Sequence, residues 1–463
     1  MSTVATTEPA PTSSQELPPL TAKQITDDIT RPLFTKPPLV WHGAIAATQA
    51  LAGLLVIAIA LYCIEGYGIF GVNQPVNWGN DITTYIFWIG IAVAGTLVSS
   101  VLFLFRQTWR TAVNRSTEAM TVFAVQIAGL FPLIHTGRPW VDFWLLPYPN
   151  DRMLWPNLKS AIVWDVFALT AYATTSIIFW YFGLIPDFAT VRDRATNKWQ
   201  RMIYSVLAMG WRGKANDWVH YERAYSQFAW IATPLVIGMH STIAILAAVG
   251  KVPGWHATIF GPYFVCGAIF GGLAMALVFL IPMRSMLKLE RYITLDHLEK
   301  LAKIMLLCGL LVTYVYTVEF FSAWWSENTF ERHQFVYRAL GNWSFAFWIM
   351  MTCNVAIPQL LWFKAVRRNL LALMAIGIAV NIGMWFERFV IISLSVMQDH
   401  VPAAWDYSFS FRTFDWFILI GSFGLFFFFI LGFVRVVPVI SIAEIKAHLL
   451  KPNQPKHHGG NHE

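Results

Sequence analysis

The sequence predicts an all-α polytopic membrane protein with about ten transmembrane helices, packed as two four-helix bundles with flanking helices. Three observations carry this expectation. Of 463 residues, 56% are hydrophobic and only 13% charged, against about 25% charged in an ordinary soluble chain. Apolar runs of about 19 residues or more recur along the chain, continuous rather than alternating, which suits helices and not barrel strands. Lys and Arg are concentrated in every second connection, as in a chain that threads a bilayer.

In order, the runs lie at Val40–Ile64, Ile82–Phe105, Thr117–His135, Ala161–Leu184 and Tyr221–Val249. The second half adds Thr258–Met283, Leu301–Trp325, Asn342–Phe363, Leu370–Leu394 and Thr413–Val437. Spans two to five and six to nine form two successive groups of four. The fifth and seventh runs are long, so their ends are expected to project or tilt. One set of connections holds Arg106, Arg110, Arg115, Arg192 to Lys214, Arg284 to Lys300, and Lys364 to Arg368. The opposite set carries few cations, among them Arg138, Arg152, Lys159, Lys251, Arg332 and Arg338. This asymmetry places both termini in the cytoplasm and the loop between spans three and four outside. The net charge of +7 then belongs to basic loops at a lipid bilayer, and no nucleic-acid partner is called for.

Residues 1–39 form a Ser-, Thr- and Pro-rich cytoplasmic tail, with no apolar core of a signal peptide before Trp41. The transmembrane domain covers 40–437, and 438–463 is a second cytoplasmic tail whose histidines are read as solvated. The longest hydrophilic connection, Pro186–His220, is basic. Cys63, Cys266, Cys308 and Cys353 lie far apart without a CxxC or Cys–His cluster, so they read as small hydrophobes and not as metal or iron–sulfur ligands.

The chemistry is expected in GLFPLIHTGRPWVDFWLLPYPNDRMLWPNLKSAIVWDVF, residues 129–167. Asp165 lies roughly 8 Å into its helix at about 1.5 Å per residue, and His135 closes the preceding span at similar depth. An imidazole and a carboxylate meeting there would suit general-base removal of a hydroxyl proton, the acid orienting the ring. Trp140, Phe143, Trp144 and Trp155 could wall an amphipathic ring. An interfacial aromatic belt with a helix-end His and Asp accounts for the same spacing equally well. His240, in PLVIGMHSTIA, either joins this site or is a packed core histidine; a bis-His haem lacks its second ligand.

Further charges fall inside spans: Glu319, the adjacent Glu387 and Arg388, and Asp415 at the start of the last. Glu387 can pair locally with Arg388, or the two can pair with Glu319 across helices. Tyr172, Thr174, Thr175 and Ser176 either line a polar path below Asp165 or bond helix carbonyls. Neither a GxxxxGK[ST] loop nor a GxGxxG is present. Redox chemistry here would therefore send electrons to a cofactor of another subunit.

GLFPLIHTGRPW, PYPNDRMLWPNLKSAIVWDVF and GLIPDFATVRDR, with PLVIGMHSTIA and VPGWHATIFGPYFVCGAIFGG, resemble the NrfD/PsrC-type quinol-interacting membrane subunits. Within them the chain is most similar to the ActC subunit of bacterial alternative complex III. The resemblance covers nearly the whole spanning region and neither tail. It implies a multi-pass subunit of the bacterial cytoplasmic membrane that oxidises menaquinol or ubiquinol near the outer face. His135 and Asp165 fall on the proposed quinol ligands, with Arg138, Trp140, Arg152 and His240 around them. The resemblance also implies partners: an iron–sulfur or molybdopterin-like outer subunit, multihaem cytochrome c subunits, a second NrfD-like membrane subunit and small membrane subunits. Iron–sulfur clusters and haem c would reside in those partners, and no metal or haem in this chain. Coupled proton translocation would run through residues such as Asp165, Tyr172, Thr174, Glu319, Glu387 and Arg388. One departure is that Ser241–Val249 lacks the acid often found after the fifth-span histidine, so its role does not carry over. Two other readings compete: the membrane anchor of a polysulfide-reductase-like molybdoenzyme, and a secondary transporter using the buried charges.

Overall fold

The computed structural model describes residues 20–72, 78–146, 158–159, 161–255, 257–398, 400 and 410–450; all regular structure among them is helical. Helix α1 (Ala22–Phe34) precedes the first span, α2 (Leu39–Glu65). The second span is α3 (Asn80–Leu104); the third is α4 (Asn114–Ala128) continued by α5 (Leu130–His135). Then come α6 (Ala161–Arg194), a short α7 (Lys198–Leu207), α8 (Ala215–Ala248), α9 (Phe260–Met286) and α10 (Leu295–Trp325). After α11 (Thr329–Leu340), the eighth span starts as α12 (Ser344–Met351) and continues through a π-turn and a 3-10 stretch to Trp362. A single turn, α13 (Lys364–Arg367), leads into α14 (Leu370–Ile391) and α15 (Ser393–Val396), which make the ninth. The tenth is α16 (Thr413–Val436), and α17 (Ile442–Leu449) follows. Among the described residues ten helical segments are long and apolar enough to cross a membrane. The chain is a multi-pass membrane protein.

Helices α3, α4–α5, α6 and α8 pack as one bundle, and α9, α10, α12 and α14 as a second, with α3 against α9 at the seam. Helices α2 and α16 pair beside them, α16 also touching α3 and α4. Lipid removes the hydrophobic drive between spans, so close approach relies on small residues. A Cβ on Gly421 would sit 2.5 Å from the Leu55 amide nitrogen, and one on Gly424 2.5 Å from Leu51 Cβ. Those two glycines let α16 lie directly on α2.

Three stretches differ from the sequence expectation. Helix α6 does not stop at Leu184 but runs through Pro186 to Arg194. The reason is a buried ion network on its continuation: Arg115 donates to the Gly183 carbonyl at 2.6 Å and to Asp187 at 3.2 Å, and pairs with Glu118 at 3.5 Å. Within the N-terminal tail, α1 buries Ile25 and Ile29, bonds Arg194 through Asp27 and accepts from Tyr292 at Asp28 (2.9 Å). Within the C-terminal tail, α17 buries Ile442 and Ile445, and its Glu444 takes Arg110 at 2.8 Å and Asn114 at 3.1 Å. Two apolar residues per helix escape a hydropathy scan, yet they suffice when charged partners lie opposite. Among the cysteines, Cys308 is buried, Cys266 and Cys353 are partly so, and Cys63 is exposed on α2. The C-terminal histidines after His448 lie outside the described residues.

Candidate functional site

A cavity of about 520 Å³ opens on the side of the first bundle, between α3, the α5 end and α6. Its walls are mostly apolar: Ile82 and Ile86 from α3, Val125 from α4, Leu133 from α5, Leu169 and Ile177 from α6, and Ile243 and Leu246 from α8. Thr170, Thr174 and Ile177 lie about one turn apart on α6, line the cavity and are exposed, so the opening faces the surrounding lipid. Four titratable side chains line this apolar space: Tyr85, His135, Asp142 and Asp165.

Helix α3 organises two of them. Asp81 stands in its first turn, where an anion meets the positive end of the helix dipole, and is 1% exposed. Its Oδ2 lies 2.9 Å from His135 Nδ1 and accepts from the Tyr67 hydroxyl at 2.6 Å. Tyr67 also stands 3.2 Å from the same Nδ1. A carboxylate on Nδ1 fixes the tautomer with the proton there, leaving the Nε2 lone pair for the cavity. One turn on, Tyr85 donates to Asp165 Oδ2, while Asp165 Oδ1 has no hydrogen-bond partner among the described residues. Residues 81 and 85, four apart on one helix face, thus hold the imidazole and the carboxylate separately. The sequence expectation has Asp165 orient the imidazole or relay its proton; Asp165 here bonds Tyr85, and the carboxylate on His135 is Asp81. Sequence reasoning missed it because an acid in a first turn ordinarily needs no more than the helix dipole to explain it.

Asp142, in the 3-10 stretch Pro139–Leu145, lines the cavity half-buried, and neither carboxylate oxygen meets hydrogen-bond geometry with a partner among the described residues. Loss of water pushes its carboxyl above the usual aspartate range. Phe143 lines the cavity, whereas Arg138, Trp140 and Trp144 are exposed and do not. Arg152 and Trp155 lie outside the described residues.

A family model described as Polysulphide reductase, NrfD, matches residues 69–398, which hold both bundles and every residue that lines the cavity. The chain belongs to the NrfD family. Among its relatives, a selenate reductase subunit of Mesobacillus selenatarsenatis is 20% identical over 402 residues, covering 83% of this chain and 91% of that protein. A "Putative dimethyl sulfoxide reductase membrane subunit" of Halobacterium salinarum is 23% identical over 236 residues, 49% of each chain.

The remaining site candidates of this NrfD chain are placed elsewhere. Tyr172 is buried and donates to the Ala92 carbonyl at 2.7 Å, and Ser176 accepts from Thr96 at 3.2 Å; Thr174 alone of that stretch lines the cavity. His240 is fully buried against Phe264, away from the cavity lining, and neither ring nitrogen meets hydrogen-bond geometry with a partner among the described residues. Glu387 and Arg388 touch each other in the second bundle, where Arg388 also stacks on Phe264 at 4.6 Å. Glu387 takes the Tyr316 hydroxyl and the Asn354 amide (3.3 Å); a π-turn carries Asn354 inward. Glu319 is not hydrogen-bonded to that pair, and its Oε1 has no hydrogen-bond partner among the described residues. Among the described residues no group of three or more His, Cys, Asp or Glu is placed to hold a metal ion.

Proposed function

We propose that this chain is the quinol-oxidising membrane subunit of a multi-subunit oxidoreductase. The observation that carries the proposal is the apolar, lipid-facing cavity with an unpaired imidazole nitrogen and an unpaired carboxylate oxygen aimed into it. A hydroquinone is an apolar ring and tail with two hydroxyls, which suits an apolar cavity with acceptors on either side of it. The quinol enters between α3 and α6 past Thr170 and Thr174. One hydroxyl donates to His135 Nε2, the other to Asp165 Oδ1. His135 takes the first proton as general base, and the Asp81 carboxylate stabilises the imidazolium that forms. Asp165 takes the second proton, its Oδ2 held by Tyr85. Two electrons leave with the two protons, and the product is quinone. The electrons pass to one-electron carriers of a partner protein. On the charge asymmetry of the connections, the cavity lies near the outer face of a bacterial cytoplasmic membrane, both termini are cytoplasmic, and protons are released outward.

The downstream partners follow one of two schemes. In the first, the chain serves an alternative complex III-like assembly, passing electrons to iron–sulfur clusters and then c-type haems, with a second NrfD-like membrane subunit alongside. In the second, it anchors a molybdopterin-type reductase; both relatives above carry names of reductase subunits, which favours this scheme. Proton translocation through Tyr172, Thr174 and the Glu319, Glu387 and Arg388 group belongs to the same proposal.

The test is quinol-dependent reduction of the partner's clusters in the assembled complex. His135→Ala and Asp165→Asn are each expected to slow it by about 10²-fold or more while the complex still assembles. Wild-type rates in both assembled variants overturn the proposal. Isolation of the complex then separates the two schemes by whether haem c or molybdopterin is purified with it.

A further inference from the structure

The basic connection between α6 and α8 contains a surface that the cavity chemistry does not use. Helix α7 exposes Trp199, Met202, Ile203 and Val206, and Met209 continues the line just beyond it; Trp199 is 71% and Val206 72% exposed. The spacings of three and four place them on one stripe of the helix. The opposite face is already used. Tyr204 is buried, packs on Phe188 and donates to the Val436 carbonyl at 2.7 Å, and the Leu207 carbonyl accepts from Tyr181 at 2.7 Å. The stripe is therefore not a face awaiting closure by this chain's described residues. Val436 is the last residue of α16, so the bond from Tyr204 sets α7 at the level where that span leaves the membrane.

Lys198, Arg201, Arg212 and Lys214 flank the stripe. Arg201 donates to the Ala195 carbonyl at 2.9 Å; Asp217 accepts the backbone N–H of Lys214 at 3.1 Å and of Arg212 at 3.4 Å, while no side chain of the four forms an ion pair among the described residues. An apolar stripe beginning on Trp and bordered by uncompensated cations matches the headgroup layer of a bilayer, where apolar groups sink below and cations meet phosphate. We propose that α7 lies in the headgroup layer on the basic face of the protein and binds anionic phospholipid there. The apolar stripe supplies insertion, and the four cations supply selectivity for negative charge. This depends on the chain spanning a membrane and not on the quinol reading.

The test uses the full chain, purified with its partners, in nanodiscs of phosphatidylcholine alone or with phosphatidylglycerol added. An environment-sensitive fluorophore is placed at Val206→Cys on a Cys63→Ser background. The expected result is quenching by lipid-borne nitroxide at headgroup depth, stronger on the order of twofold or more when phosphatidylglycerol is present. The triple variant Lys198→Glu, Arg201→Glu, Arg212→Glu should lose that increment and keep its quinol-dependent activity. Quenching by aqueous iodide in both membranes overturns the proposal, because the stripe then stays in water. Protection from both quenchers overturns it in favour of a covering protein. Equal lipid quenching with and without phosphatidylglycerol overturns the anionic selectivity.

Discussion

At the cavity the imidazole of His135 has Nδ1 committed to Asp81 and Nε2 without a partner among the described residues, the arrangement that the proposed base requires. Asp81→Asn preserves shape but offers an amide that can donate to Nδ1, which turns the tautomer over and removes the lone pair from the cavity. Turnover should fall by about 10²-fold, while the dissociation constant of a quinone analogue changes little; an equal loss of both would make Asp81 merely structural. Asp142 makes a separate prediction. Its carboxyl is held above the usual range by burial, so the folded state favours its protonated form. The stability this contributes at acid pH is lost as pH rises through the raised pKa. Asp142→Asn should gain melting temperature relative to the wild type between acid and neutral pH; parallel curves would contradict it. His135 and Asp165 were legible in the sequence because a titratable residue at the end of an apolar run is conspicuous. Asp81 and Tyr85 were not, since an acid in a first turn and a tyrosine inside a span are both ordinary.

Helices are positioned by small residues and by buried charges, and the two have different consequences. The ten spans were legible as apolar runs, with ends shifted by a few residues except at α6. There the continuation depends on Arg115, whose partner Glu118 is one turn along its own helix while Gly183 and Asp187 reach it only in three dimensions. Arg115→Ala leaves both carboxylates buried without their cation and should cost about 3–5 kcal/mol of stability, read as the unfolding free energy by steric trapping in bicelles. A loss within experimental error would show that the network contributes nothing. Helix α2 is held differently, since it packs mainly on α16 across Gly421 and Gly424. Gly421→Leu should separate the pair, so that a disulfide engineered between α2 and α16 no longer forms while the cavity still binds quinone analogues. Helices α1 and α17 were hidden in polar tails because each buries only a few apolar side chains.

Over the whole molecule, the polar groups divide between two bundles. The first carries the cavity near one end and the Arg115 network near the other, while the second carries the Glu387–Arg388 cluster. A second crevice of about 460 Å³ between α9, α14 and α16 is lined by Met275, Ile378, Trp385, Phe423 and other apolar groups, with Asn381 its one polar residue. By size it would accept a quinone as readily as the first cavity, but no titratable group faces it. Quinol is therefore assigned to the first. A photoactivatable quinone, crosslinked in the assembled complex and mapped by peptide mass spectrometry, tests that assignment most directly. Labelling within 125–146 and 165–177, displaced by excess quinol and lost in His135→Ala, is the predicted result; labelling confined to the α9–α14–α16 crevice would contradict it.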